Sequence, residues 1–249
     1  MVAATRQIEE SLELQTFNHY RCIAHILNLI VKAALDTDII PLPIKKLHAF
    51  ISTIRNSPKQ MDKLKEYFRV EDIKFKAPLP DIITRWNYTF YMIERALEIK
   101  PILLHIVSNL PTLTSNWPTD EEWVILTDLL DLLAPFALMT KIIFAASYPT
   151  IGEVKWLLLG IKHHLERTQS SNYSLLLQVN AMKRVFDNYF EQINNLLHIL
   201  AFFDPCYKKK AYGNIFQESI LQPIRIAMAD YYEESSTPTV SEDRTIEDL

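Results

Sequence analysis

The sequence predicts a mainly α-helical fold with little or no β-sheet. Three observations carry that reading. Glycine is scarce, at 3 of 249 residues, while Leu, Ile, Ala, Lys and Glu are common. Apolar residues recur every three or four positions, and few stretches alternate with period two. Helix-start signals recur along the chain, as Thr followed by Glu three residues later or Ser followed by Pro. Hydrophobic residues make up 49% of the chain, enough for one substantial core or two small ones.

The elements follow in order. Residues 1–20 read as a short helix and a polar loop. A helix runs from Cys22 to Leu35, ended by Asp36-Thr37-Asp38 and by Pro41 and Pro43. A second is expected from Ile44 to Asn56. Ser57-Pro58 opens a third through Phe68, with proline in its first turn. Residues 70–80 read as a loop because of Pro78 and Pro80. Asp81 or Thr84 can cap a helix that ends at Lys100, before Pro101. Its apolar stripe is Trp86, Phe90, Ile93 and Leu97. Pro111 to Pro118 reads as a linker. Thr119 to Glu122 is a capping box for a long helix that Pro135 should kink. A second box, Thr150 to Glu153, starts a helix through about Leu165. The stretch from Tyr173 to Ala201 is a long amphipathic helix, with Leu176, Val179, Met182, Phe186, Phe190, Ile193 and Leu197 on one face. Asp204-Pro205 breaks it. A final helix is expected from Asn214 to Tyr232, followed by a disordered Ser/Thr/Pro/acid-rich tail.

Net charge is −4 and unevenly placed. The segment from Glu233 to Leu249 carries −5, which leaves +1 for residues 1–232. Lys45 to Arg85 holds ten basic and five acidic residues. Such an excess attracts phosphates, and it equally describes a solvated face of Lys-rich helices. Two cysteines, Cys22 and Cys206, cannot build a disulfide framework and suit a reducing intracellular compartment. The N-terminus lacks a secretory pattern. The longest apolar runs, about ten residues, are too short to span a bilayer.

Few side-chain constellations carry chemistry. Cys22 and His25 lie three apart and can share a helical face, but zinc needs four ligands or three plus water. Cys206 is the other cysteine and His163-His164 splay apart, so no metal is expected. A buried cysteine and a hydrogen-bonded histidine at a helix start explain the pair equally. Arg85-Trp86 sets a guanidinium beside an indole. Arginine holds phosphate oxygens and indole stacks on an unpaired base, yet Trp86 also falls on its helix's apolar stripe, as a core residue would. The glycines at 152, 160 and 213 form no phosphate-cradling loop. No hydrolase, kinase or dinucleotide motif is present, no acidic cluster looks like a two-metal site, and no cofactor is expected.

Four ordered blocks resemble the hAT superfamily of DNA transposases over about residues 1 to 215. Arg21-Cys22-Ile23-Ala24-His25-Ile26-Leu27-Asn28-Leu29 is similar to its Cys-x-Ala-His and Leu-Asn-Leu block. Ile83-Thr84-Arg85-Trp86-Asn87 and Tyr91-Met92-Ile93-Glu94-Arg95-Ala96-Leu97 resemble Thr-Arg-Trp-Asn and Met-Leu-Glu-Arg-Ala-Leu. Trp123 to Ile151, with Pro135-Phe136, Thr140 and Tyr148-Pro149-Thr150-Ile151, looks like the family's long helical insertion. Phe203-Asp204-Pro205-Cys206-Tyr207-Lys208 is similar to Leu-Asp-Pro-Arg-Tyr-Lys. Two positions depart, Tyr88 where Ser is usual and Cys206 where Arg is usual.

The resemblance implies a ribonuclease-H-like catalytic domain interrupted by a helical insertion, with Asp, Asp and Glu binding divalent metal. The chain starts just after the expected position of the second Asp and lacks a recognisable Glu region or BED-type finger. A truncated or domesticated transposase is therefore expected, not an enzyme, with no catalytic residue, metal or cofactor. The implied layout is a ribonuclease-H-like remnant at 1–36, the insertion at 37–170, hAT-like helices at 171–232 and an acidic tail at 233–249. Cys22, His25, Arg85 and Trp86 are the implied nucleic-acid-binding residues, the first two beside the active site and Trp86 stacking on a displaced base. Implied partners are DNA, weakly or residually, and a second copy or an intact hAT transposase. Neither a membrane nor a small-molecule substrate is expected, and the location is nuclear. The alternatives are a helical protein-interaction module and a gene-model fragment of an active transposase.

Overall fold

The computed structural model describes residues 22–82, 85–109, 111–145, 151–171 and 174–204, together with residues 222, 225, 226 and 229. The expectations for residues 1–20, for the helix from Asn214 to Tyr232 as a whole and for the acidic tail lie outside them. Among the described residues every regular element is helical. The α-helices are α1 (Ile23–Leu35), α2 (Pro41–Arg55), α3 (Pro58–Val70), α4 (Trp86–Glu98), α5 (Lys100–Asn109), α6 (Asp120–Ala145), α7 (Ile151–Ser171) and α8 (Leu176–Phe203). A 3-10 helix spans Pro111–Asn116.

The departures from expectation have local causes. Pro41 and Pro43 do not delay α2, because proline fits a first turn whose N–H groups lack intrahelical partners anyway. The same rule lets Pro101 sit in the first turn of α5, where the sequence had suggested a stop. The expected linker after Pro111 is a 3-10 helix. The Thr119–Glu122 box forms as expected. The Thr119 backbone N–H donates to Glu122 Oε2 at 2.8 Å, and the Glu122 N–H donates to Thr119 Oγ1 at 3.3 Å. Ser57 accepts from the Gln60 N–H at 3.4 Å, the weaker cap of α3. Thr150 lies outside the described residues, so the second box is not described.

The chain divides into two compact units. The first joins residues 1–147 to Leu157–Phe190, and the second joins Tyr148–Trp156 to Glu191–Leu249. In the first unit α6 is the central helix, packed on α1, α2 and α4, while α3 packs on α2 and α5. α1 buries Ile26, Leu27, Ile30, Val31 and Ala34, a stripe of helical period. α4 buries Trp86, Thr89, Phe90, Met92, Ile93 and Ala96. Leu97 is only half-buried, so the stripe turns toward Met92 and Ala96. An aromatic cluster joins α2 to the start of α6. Phe50 meets Trp117 edge-on at 5.0 Å, Trp117 meets Trp123 at 5.1 Å, and Lys100 Nζ lies 4.6 Å from the Trp123 ring.

α6 corrects one sequence reading. Asp120–Phe144 is long and apolar enough to cross a membrane by length and composition, although no uninterrupted apolar run is. Half of it is buried inside the protein, as suits a core helix with Leu126, Leu129, Leu132, Leu133 and Phe136 buried.

The irregular segment between α3 and α4 is tied down at two carbonyls. Arg55 Nη1 donates to Pro78 O at 2.6 Å, and Arg95 Nη1 donates to Ala77 O at 3.0 Å. These charge-assisted bonds fix the path that delivers Asp81 to α4. Asp81 does not cap the helix as the sequence suggested. It accepts from Thr89 Oγ1 at 2.8 Å, one turn inside, and the N-cap position falls to Arg85, without a side-chain cap.

In the second unit, Lys155 is 2% exposed. Its ammonium lies 5.5 Å from the Trp156 ring, and burial pushes its pKa down to about 8. Ile193, Leu197 and Ala201 of α8 are buried, and the helix ends at Phe203, next to the predicted Asp204 break.

Candidate nucleic-acid interface

Residues of α1, α4 and α6 enclose an open groove of about 660 Å³ within the first unit. Its base is the first turn of α4, where Arg85, Trp86 and Asn87 begin the helix. Arg85 is exposed, and its guanidinium has no hydrogen bond or ion pair among the described residues. The position is electrostatically unusual. The start of a helix carries partial positive charge, and a cation there is unfavourable unless an anion joins it. An uncapped helix start beside an unpaired arginine is a local positive field facing open space.

Three exposed aromatic rings share the groove. Tyr88 is 36% exposed, Tyr91 38% and Phe144 72%. Exposed rings cost hydration free energy and offer flat faces for stacking. Two buried polar atoms of groove-lining residues, Asn87 Oδ1 and Thr140 Oγ1, have no hydrogen-bond partner. Unmet buried polar atoms are few in folded proteins, and here both belong to residues bordering the same opening. Asn28 adds an amide from α1.

The four sequence-predicted residues separate into two pairs. Arg85 and Trp86 both line the groove. Trp86 is 7% exposed, so its indole is part of the core as well as of the groove wall. Cys22 and His25 are both exposed at the start of α1, and neither lines the groove. Cys22 occupies the N-cap position, where its backbone oxygen accepts from the His25 and Ile26 N–H groups at 2.9 and 3.1 Å. The buried cysteine and hydrogen-bonded histidine that explained this pair locally are not what forms. A helix N-cap leaves its side chain outside the helical stripe, and His25 falls opposite the buried Leu27 and Ala34.

Sequence reasoning did not select Asn28, Tyr91, Thr140 or Phe144 as site residues. Thr140 and Phe144 lie four apart on α6, hence on one face. Tyr88 and Tyr91 lie off the apolar stripe of α4. Aromatics outside a buried stripe were the available signal. Among the described residues with a displaced pKa (Glu98, Glu121, Lys155, His164 and Lys183), none lines the groove.

Comparison with known proteins agrees with the helical architecture. Residues 20–132 match the family described as the ZBED1 RNase-like helical domain. The chain is 27% identical to the Zea mays protein named "Putative AC transposase" over 92% of its own length and 30% of that protein's. It is 26% identical to the Oryza sativa subsp. japonica zinc finger BED domain-containing protein RICESLEEPER 2, over 86% of this chain and 30% of the relative. RICESLEEPER 1 from the same rice is 28% identical over 76% of this chain and 26% of that protein. The chain thus spans about 30% of the length of these relatives. No solved structure matches it. The similarity is distant, and it marks a helical domain related to that of the hAT transposases.

Proposed function

We propose that this chain is a nucleic-acid-contacting helical part of a hAT-transposase-like protein, acting in the nucleus and not itself cutting DNA. The observation that carries the reading is the groove at the start of α4. There an unpaired Arg85, an uncapped helix start and the rings of Tyr88, Tyr91 and Phe144 surround one opening. Phosphate suits the arginine and the helix start, and unpaired bases suit the rings. Trp86 contributes one wall of the groove. Cys22 and His25 enter the reading only through the family resemblance; they flank Ala24, which lines the groove, without lining it themselves.

Among the described residues, several acids already have structural occupations. Glu122 caps α6 and pairs with Lys46 at 2.7 Å. Glu98 pairs with Arg95 at 3.0 Å and with Lys76. Asp81 holds Thr89. These roles support binding over carboxylate-metal chemistry for the segment.

The test is binding of a duplex with a single-stranded flank, measured across salt concentrations. Affinity should fall with salt, and Arg85→Ala should reduce the slope of log affinity against log salt by about 1. Salt-independent binding, or none, would overturn the reading. Incubation of the same DNA with Mg²⁺ or Mn²⁺ should leave it uncut; nicking by the purified chain would refute the non-catalytic assignment.

A second reading is a module that binds another copy or an intact transposase. Val124, Leu138 and Phe144 of α6 are 58%, 58% and 72% exposed, and such apolar side chains suit a protein interface. Light scattering separates the two readings, since the module predicts a concentration-dependent dimer without DNA.

A further inference from the structure

The central helix of the first unit has an outer face with an order of its own. Opposite the buried Phe136, six residues of α6 are exposed: Val124, Thr127, Asp131, Ala134, Leu138 and Lys141. They are spaced three, four, three, four and three apart, the spacing of the a and d positions of a heptad repeat. At about 100° per residue they form one stripe, centred about 180° from Phe136. Phe144, which lines the groove, falls about 100° round the helix from that centre. Groove and stripe are therefore different faces of α6.

The charges on the stripe are set symmetrically. Asp131 and Lys141 stand on either side of Ala134 and Leu138, too far apart to pair along one helix. Neither has a hydrogen bond or ion pair among the described residues. His164 senses the Asp131 charge, but burial holds its pKa below the ordinary histidine value, so at neutral pH it is no counter-ion. Between the charges the stripe carries a small side chain, Ala134, and a large one, Leu138, which is 58% exposed. Leu130 and Ile142, both half-buried, flank it.

We propose that this stripe pairs with the same stripe of a second copy, as an antiparallel α6–α6 dimer whose two-fold axis passes level with Phe136. In that register Asp131 faces the partner's Lys141, and Ala134 faces the partner's Leu138. Each contact occurs twice, as a two-fold interface requires. Opposite charges meet, and a large side chain enters the space left by a small one. A parallel pair would set Asp131 against Asp131 and Lys141 against Lys141, and like-charge repulsion disfavours it. The charge pattern thus selects both direction and register, and it suits a second copy because the stripe complements itself. One helix pair is a small interface, so the association is weak and depends on concentration. The proposal rests on the self-association reading given above and is independent of what the groove binds.

The experiment is sedimentation of the full chain across concentrations up to its solubility limit, where the parent should form a dimer. Asp131→Lys alone and Lys141→Asp alone each bring like charges together twice, and each should weaken the dimer at least about tenfold. Combining the two exchanges should restore it, a rescue that a damaged fold cannot mimic. Direction is read from spin labels at Val124→Cys in a Cys22→Ser/Cys206→Ser background. Antiparallel pairing sets the two attachment points about 36 Å apart, and parallel pairing about 10 Å. A dimer indifferent to both single exchanges, or one that the combined exchange does not restore, overturns the α6 pairing and leaves self-association standing. A short label distance overturns the antiparallel direction. A parent that stays monomeric to its solubility limit overturns this pairing and the self-association reading together.

Discussion

Two helix starts in this protein carry the motifs that stand out in its sequence, and the fold treats them differently. Cys22 and His25 begin α1 with both residues exposed, and neither lines the groove or the cavity beside it. Arg85 and Trp86 begin α4, one exposed and one buried, and they border a groove; Trp86 also borders a second cavity. The segment before α4 is fastened by Arg55 and Arg95 at Pro78 and Ala77, so the first turn of α4 is held against the core. A motif's residue types give its chemical capacity, and the packing around its helix start determines whether that capacity meets a cavity.

The largest expected effect tests the buried member. Trp86→Ala should destabilise the first unit by about 3–5 kcal/mol, the usual cost of truncating a core tryptophan. Cys22→Ala and His25→Ala, at exposed positions, should stay within about 0.5 kcal/mol. Denaturant midpoints measure all three, and similar costs at the two starts would break the contrast.

A smaller effect tests the exposed aromatics. Tyr91→Ala and Phe144→Ala should each weaken binding of a single-stranded oligonucleotide by about 1–3 kcal/mol if a base stacks on the ring, with little change in melting temperature. Binding that instead responds to His25→Ala would move the interface to α1. A third helix start calibrates the other two. α6 has a complete capping box, and Thr119→Ala should cost about 1 kcal/mol through one lost cap. A cost below the error of chemical denaturation would mean that caps contribute little here, and that the missing cap on α4 signals nothing.

The smallest effect is a dependence on pH. His164 has its pKa held below the ordinary histidine value chiefly by burial, opposed by its hydrogen bond to Leu132 O at 3.1 Å. The folded state therefore binds the proton less readily than the unfolded chain. His164's stabilising contribution is present above the unfolded pKa of about 6.5 and is lost as pH falls through that value toward the lower folded one. Melting temperature should decline across that window, and His164→Gln should flatten the decline. An unchanged slope would remove His164 as its source.

Legibility varied by element for physical reasons. The Thr119–Glu122 box could be read directly, because its donors and acceptors lie within four residues. α1, α3 and the core of α8 were legible from period alone. α5 was not, since Pro101 reads as a stop or as a first-turn residue and only contact with α3 and α4 favours the second. Asp81 was read as a cap, whereas the path of the preceding segment brings it to Thr89. Of the candidate site, Arg85 and Trp86 were visible as an unusual pair. Phe144 and Thr140 were not, because they belong to α6 and reach the groove only through helix packing.

The sequence by itself determined the helical class, most helix starts and the chemical kinds of residue available for contact with nucleic acid, because these depend on neighbours within one or two turns. Tertiary structure alone decided that Trp86 is both core and groove wall, that Ala24 and Asn28 rather than Cys22 and His25 bring α1 to the groove, and that Asp81 meets His48 at 3.8 Å. Those outcomes depend on burial and on meetings between residues far apart in the chain, which local spacing does not encode.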